Sequence, residues 1–387
     1  MRCKLSDICS YRKGKIEVKR LNNITYISTE NMLPNKGGIT EASSLPSIVL
    51  TQEYRKGDVL VSNIRPYFKK IWQAKYDGGC SNDVLVFTPN PMTDKDFLYY
   101  VLANDEFFLY SMATSKGTKM PRGDKDSIMQ YEIPDIGLDR QRKIASVLKS
   151  LDDKIQLNIA INNNLEQQAQ AIYRSWFVNY EPFDGTKPAD WSDGTIDDLG
   201  TEIICGKTPS TKKSEYYGGN TPFITIPDMH GCVYIVSTER YLSAAGVASQ
   251  PKKTLPPNTV CVSCIGTTGL VTLVSEESQS NQQINSIIPQ KDISVYYVYL
   301  LMQTLAETIN KLGQSGSTIV NLNKTQFGKI QVMIPSKRVL QDFDSLCSPL
   351  FDTILSNQKE NINLSELRDT LLPKLMSGEL DVSDIDL

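Results

Sequence analysis

The stretch LDRQRKIASVLKSLDDKIQLNIAINNNLEQQAQAIYRSWFV, residues 138–178, carries Ile144, Leu148, Leu151, Ile155, Asn158, Asn162, Leu165, Ala169, Ile172 and Trp176 at steps that alternate four and three. That rhythm is the seam of a coiled coil. Adding 199 to each position gives Phe343, Cys347, Leu350, Ile354, Asn357, Asn361, Leu364, Arg368, Leu371 and Leu375, so the seam occurs twice and both seam asparagines fall on asparagines again. Arg368 stands where the first copy has Ala169.

If the two helices lie antiparallel, facing seam residues have numbers summing to 519, which sets Ile144 against Leu375, Asn158 against Asn361, Asn162 against Asn357 and Trp176 against Phe343. About 40 residues at 1.5 Å each make a rod roughly 60 Å long. A mid-rod asparagine layer costs stability relative to apolar packing but penalises shifted registers, so it fixes both partner and length. Pro349 and Pro373 interrupt the second seam. Since the register continues through both, kinks are expected there rather than breaks.

From the helices outward, the chain reads as two repeats. Strand-like runs, such as those at 24–27, 59–64 and 84–87, fill residues 1–137, with one helix expected from about Asp94 to Met112 and a Lys/Gly-rich loop at 114–123. In the second half, residues 257–265 answer 56–64, 195–199 answer 4–8, Ser280-Asn281 answers Ser81-Asn82, Gly316 answers Gly117, and Ile334-Pro335 answers Ile133-Pro134. The offset drifts inside the globular parts and stays fixed in the helices, so helix length is the guarded quantity. The expected fold is mixed α/β: globular domains at 1–137 and 181–335, helical regions at 138–180 and 336–387, and an antiparallel coiled coil with internal pseudo-two-fold symmetry.

Composition limits the function. The chain is 40% hydrophobic and 22% charged, with no apolar run long enough to span a bilayer, and eight irregularly spaced cysteines suit a reducing cytoplasm. A net charge of -3 conceals an uneven distribution: residues 1–90 hold 14 Lys/Arg against 8 Asp/Glu. Nucleic acid is therefore not excluded as a partner.

Ile133-Pro134 leading into Leu138-Asp139-Arg140-Gln141-Arg142-Lys143-Ile144, then Leu151-Asp152-Asp153-Lys154-Ile155 and Ser175-Trp176-Phe177, and finally residues 367–380, resemble the specificity subunit of type I restriction-modification systems. Gly206-Lys207-Thr208-Pro209-Ser210, followed by the run at 217–224, is similar to a common opening of that family's recognition domains. Arg140 departs from the Glu usual there, and the first domain lacks the Gly-x-Thr-Pro opening. The resemblance implies a non-catalytic subunit that reads a bipartite double-stranded DNA target and spaces its half-sites with the helices. It also implies docking to two methylation subunits and to restriction subunits, with no membrane association. The chain would hold no cofactor; S-adenosylmethionine, ATP and Mg would sit on the partners.

The residues agree by what they lack. There is no Asn/Asp-Pro-Pro-Tyr/Phe motif, and Gly206-Lys207-Thr208 lacks the earlier glycine of a phosphate loop, since Thr201 occupies that position. Cys261 and Cys264 have no second pair and would point to opposite faces of a strand; His230, the single histidine, reads as a surface-loop residue. Candidate DNA contacts are Arg65, Lys69 and Lys70, interleaved with Tyr67, Phe68 and Trp72, then Lys116, Thr118, Lys119 and Arg122. In the second half they are Lys207, Thr208, Ser210, Thr211, Lys212, Lys213, Ser317, Thr318 and Asn321. Lys and Arg would neutralise phosphates, and Ser, Thr and Asn would position or read base edges. Two other readings set against this are a stand-alone DNA methyltransferase or nuclease and a coiled-coil scaffold with no DNA role.

Overall fold

The two heptad stretches are helices, Leu138–Phe177 and Lys337–Ser377. The first contains neither Gly nor Pro, opens with Asp139 and closes with Arg174, charges that complement the helix dipole. Beyond it Tyr180 adopts a left-handed conformation (φ 55°) ahead of Pro182. The second helix is unbroken through Pro349 and Pro373. Both prolines are exposed, as are Ser345 and Asp369 four residues before them, so the backbone groups that proline leaves unpaired are within reach of water.

The computed structural model describes residues 2–117, 119–313 and 321–382. Its chain divides into two units, Met1–Lys154 with Leu364–Leu387, and Ile155–Asn363. Among the described residues no helix is long and apolar enough to cross a membrane.

In the first unit an antiparallel sheet takes the order Cys9–Tyr11, Val84–Pro89, Val59–Ser62, Ile71–Gln73. Strand alternation sends Val59, Val61 and Phe87 into a core shared with Ile144, Leu148, Leu372 and Leu375 of the long helices, and Leu60 and Val86 into a second core with Tyr54 and Trp72. A smaller sheet beside it, Lys15–Glu17, Leu50–Tyr54, Gly78–Cys80, Tyr26–Ile27, ends on a parallel pair. The single helix expected over 94–112 is two, Lys95–Ala103 and Asp105–Ala113. Asn104 breaks it: its backbone is extended and its side chain accepts the Glu106 N–H, capping the second helix. Gln141 ties this region to the first long helix, accepting the Asp94 N–H (2.9 Å) and donating to the Ile136 carbonyl (2.7 Å).

The second unit repeats the plan with the order Gly200–Cys205, Ile284–Pro289, Val260–Ser263, Val271–Val274, and adds Tyr234–Ile235 parallel to the last. The Asp7 carboxylate accepts the Lys4 N–H at 2.8 Å, and Asp198 accepts the Thr195 N–H at the same distance, so the repeat is visible even in its capping bonds. Cys261 and Cys264 lie in different cores, and burial pushes each thiol up to about 12. His230 is exposed.

None of the seam residues is exposed. Within the second unit the two helices run antiparallel: Asn158 Nδ2 donates to Asn361 Oδ1 at 2.9 Å, Asn357 Nδ2 to Asn162 Oδ1 at 2.9 Å, and the Trp176 and Phe343 rings are 5.9 Å apart. Within the first unit Arg368 reaches Asp152 at 2.7 Å, in the same sense. Asn158 is fully buried, and its Oδ1 has no hydrogen-bond partner among the described residues. Asn158 Nδ2 also donates to Glu360 Oε2 (2.7 Å), so in a Glu360→Gln background replacing both Asn158 and Asn361 by leucine should raise stability by about 1–3 kcal/mol, whereas Asn158→Ala alone should lower it by a similar amount. Denaturant titration of the three proteins decides it; a destabilised double variant would mean that the amide layer stabilises the pair rather than specifying its register.

Candidate nucleic-acid interface

At one end of the first unit's larger sheet three segments meet. The strand Val59–Ser62 runs out through Ile64, which forms an isolated antiparallel bridge with Arg122, and Arg122 bridges Lys116. The Arg65 N–H donates to the Pro121 carbonyl (2.8 Å), the Asn63 N–H to the Asp83 carbonyl (2.8 Å), and the Arg122 guanidinium pairs with Asp83 at 3.1 Å. Backbone bonds thus hold the chain at Asn63–Arg65, Asp83, Lys116 and Pro121-Arg122 together.

The second unit has the same junction. Ile265 bridges Asn321 as Ile64 bridges Arg122. Thr208 Oγ1 donates to Gln282 Oε1 (2.8 Å), Asn281 Nδ2 to Gln283 Oε1 (3.0 Å), and Gln283 Nε2 to the Ile265 carbonyl (3.4 Å). Gly206 packs its Cα against the chain at Ser280-Asn281: a Cβ there would lie 2.1 Å from the Asn281 carbonyl oxygen. The result is a rim of carboxamides and hydroxyls, groups able to pair with base edges, where the first unit has cations.

The candidate residues divide accordingly. Arg65, Lys69, Lys70, Lys116 and Arg122 gather at the first junction. Lys69 is paired with Asp105 (2.8 Å), which also takes Lys36 (3.0 Å); burial works against the Asp105 charge, but the two lysines outweigh it and hold the carboxyl below its ordinary range. Lys70 donates to the Thr29 carbonyl (2.6 Å), and desolvation lowers its pKa. Lys116 pairs with Asp124, whose carboxyl drops to about 2. Lys119 is exposed, while Trp72 belongs to the core. In the second unit Thr208 and Asn321 are at the junction, and Lys207 joins it by donating its N–H to the Ser280 carbonyl (2.8 Å). Ser210, Thr211, Lys212 and Lys213 are exposed on the following loop, and Lys213 lies 5.0 Å from the Tyr216 ring centre. Thr118, Ser317 and Thr318 lie outside the described residues.

Sequence reasoning missed the 81–83 and 281–283 turns and the Gly266-Thr267-Thr268-Gly269 turn. The duplication was the available signal, since Ser81-Asn82 and Ser280-Asn281 correspond.

A family model described as the type I restriction modification DNA specificity domain matches residues 1–167 and again 188–364. The chain belongs to the type I restriction-modification specificity family. The specificity subunit of the type I restriction enzyme HindI from Haemophilus influenzae is 32% identical, over 97% of this chain and 98% of that protein. That of MjaIX from Methanocaldococcus jannaschii is 26% identical, over 75% and 70%. The crystal structure of a type I restriction-modification S subunit from M. genitalium shares the fold, with a TM-score of 0.57 at 17% identity over 97% of this chain and 96% of that one. Membership favours a role in DNA sequence specificity over the stand-alone enzyme and scaffold readings.

Proposed function

We propose that this specificity-family chain is itself non-catalytic and reads a bipartite double-stranded DNA target, one half-site at each junction. One observation carries the reading. The bridges Ile64–Arg122 and Ile265–Asn321 belong to duplicated frames, yet one is rimmed mainly by Arg and Lys and the other, apart from Lys207, by Gln, Asn and Thr. A shared mount with divergent tips suits two surfaces reading different sequences. Cationic tips take phosphates, and bidentate amides and guanidinia discriminate bases, each good pair being worth about 1–3 kcal/mol.

In this reading the long helices set the non-specific gap and receive two methylation subunits and the restriction subunits. S-adenosylmethionine, ATP and Mg are held by those partners. The eight free thiols suit action in the cytoplasm. The expected result is that the purified chain transfers no methyl group from S-adenosylmethionine to DNA and that methylation of adenine appears only when a methylation subunit is added. Incorporation of labelled methyl groups measures it, and activity of the lone chain would sink the non-catalytic assignment.

A further inference from the structure

The turn at 65–69 in the first unit is built at a cost. Arg65 (φ 51°) and Lys69 (φ 50°) both adopt the left-handed conformation that non-glycine residues avoid. Between them Pro66–Phe68 forms a single 3₁₀ turn, with Pro66 buried and the Phe68 and Lys69 N–H groups donating to the carbonyls of Arg65 (3.0 Å) and Pro66 (2.9 Å). A neighbouring loop clamps it: Asn35 and Lys36, themselves left-handed, donate their N–H groups to the carbonyls of Phe68 (2.8 Å) and Lys69 (2.9 Å). The ion pairs of Lys36 and Lys69 with Asp105 close the other side.

What this mount displays is apolar. Tyr67 is 48% exposed and Phe68 38%, their ring centres 4.7 Å apart, with Lys70 Nζ 5.9 Å from the Phe68 ring. The turn that carries the rings belongs to the junction, because the Arg65 N–H is bonded to Pro121 beside Arg122. In the second unit the corresponding turn is Gly266-Thr267-Thr268-Gly269, with both glycines at positive φ (78° and 84°). There the left-handed positions go to glycine, which adopts them without strain, and the turn contains no aromatic residue.

We infer that Tyr67 and Phe68 form an aromatic wedge that enters a base-pair step of the first half-site and that the second unit has no equivalent. The inference rests on the DNA-reading function proposed above. A rigid, preordered aromatic pair flanked by cations matches what unstacking a step requires: the π-faces replace lost stacking, and the bases need no particular identity. Flexible pyrimidine–purine steps open at least cost, so the first half-site should contain one at the point of entry.

The test uses the full-length chain and a pool of randomised duplexes. Wild-type protein first enriches a bipartite sequence; the enriched duplex is then made with 2-aminopurine at successive positions. Wild-type binding should raise fluorescence at one step of the first half-site and at none of the second. Tyr67→Ala with Phe68→Ala should abolish that signal and weaken binding roughly 10- to 100-fold. Enrichment by that variant should still recover the second half-site. Tyr67→Phe keeps the ring and should keep signal and affinity, which separates loss of the wedge from loss of folding. A double-alanine variant that binds with wild-type affinity overturns the wedge and leaves DNA reading intact, and so does one that loses only its association with a methylation subunit. If wild-type protein enriches no duplex, both fall.

Discussion

Gly206→Ala should remove recognition of one half-site and spare the other. The position needs glycine for space rather than for backbone conformation: an added Cβ would meet main-chain oxygens of Asn281 at 2.1 Å and Ser280 at 2.4 Å, neither of which can swing aside as a flexible side chain can. Relief requires the turn at 206–208 to separate from that at 280–283. Separation breaks the bonds from the Gly206 N–H to the Ile284 carbonyl (3.1 Å) and from the Lys207 N–H to the Ser280 carbonyl (2.8 Å), and draws Thr208 away from Gln282. Overpacking of this kind costs about 1–3 kcal/mol of stability. Loss of a bidentate base contact adds about 1–3 kcal/mol in binding, so affinity for the enriched duplex should fall at least roughly tenfold. Enrichment from a random pool by the variant should return the first half-site with the second degenerate. Recovery of both halves unchanged would show that Gly206 has no part in reading.

Phe351→Ala should cost more stability than any other single substitution proposed for this chain. The ring is fully buried in the second unit, stacked on Tyr296 (4.4 Å between centres, 20°) and edge-on to Tyr299 (5.5 Å) and Tyr234 (6.5 Å). Truncation loses transfer energy and leaves a cavity in a rigid aromatic wall, together about 3–5 kcal/mol. Asp152, at the matching offset of 199, makes the instructive comparison. In the first unit it accepts a hydrogen bond from Tyr100 (2.7 Å) and pairs with Arg368 (2.7 Å). Burial opposes the Arg368 charge, but Asp152 outweighs it and raises the guanidinium pKa. Unfolding monitored by calorimetry at low and high salt should show Phe351→Ala insensitive to ionic strength. Arg368→Ala should cost less, about 1–3 kcal/mol, because the pair is partly solvated, and its cost should shrink as salt rises. Equal salt dependence would refute the distinction.

These contrasts mark what was legible in the chain. The long helices and the partners of the seam asparagines followed from spacing, because a seam of period 3.5 leaves one register in which amide meets amide. The duplicated sheet also followed, since β-branched runs and turn residues recur. The break at Asn104 did not: an asparagine inside an apolar helical pattern can sit on the surface or cap a new helix, and the arrangement of its neighbours decides. Nor could the candidate cations be ranked. Lys69, Lys116 and Arg122 are held by Asp105, Asp124 and Asp83, and Lys70 by the Thr29 carbonyl, groups that only folding brings alongside. The rigid presentation of Tyr67 and Phe68 was likewise hidden, because it depends on two left-handed residues whose conformation no local pattern announces.

The division of the chain into units has a consequence for biosynthesis. The second unit, Ile155–Asn363, is one continuous segment, whereas the first is split and takes Leu372, Leu375, Met376 and Val382 into its core. Domains ordinarily close in the order in which they leave the ribosome. Here the order inverts: the unit begun first cannot complete its core until residue 382 has emerged, 19 residues after Asn363 completes the unit begun second. The nascent N-terminal half therefore spends most of translation with an open apolar face, the state in which chaperone capture and aggregation are decided.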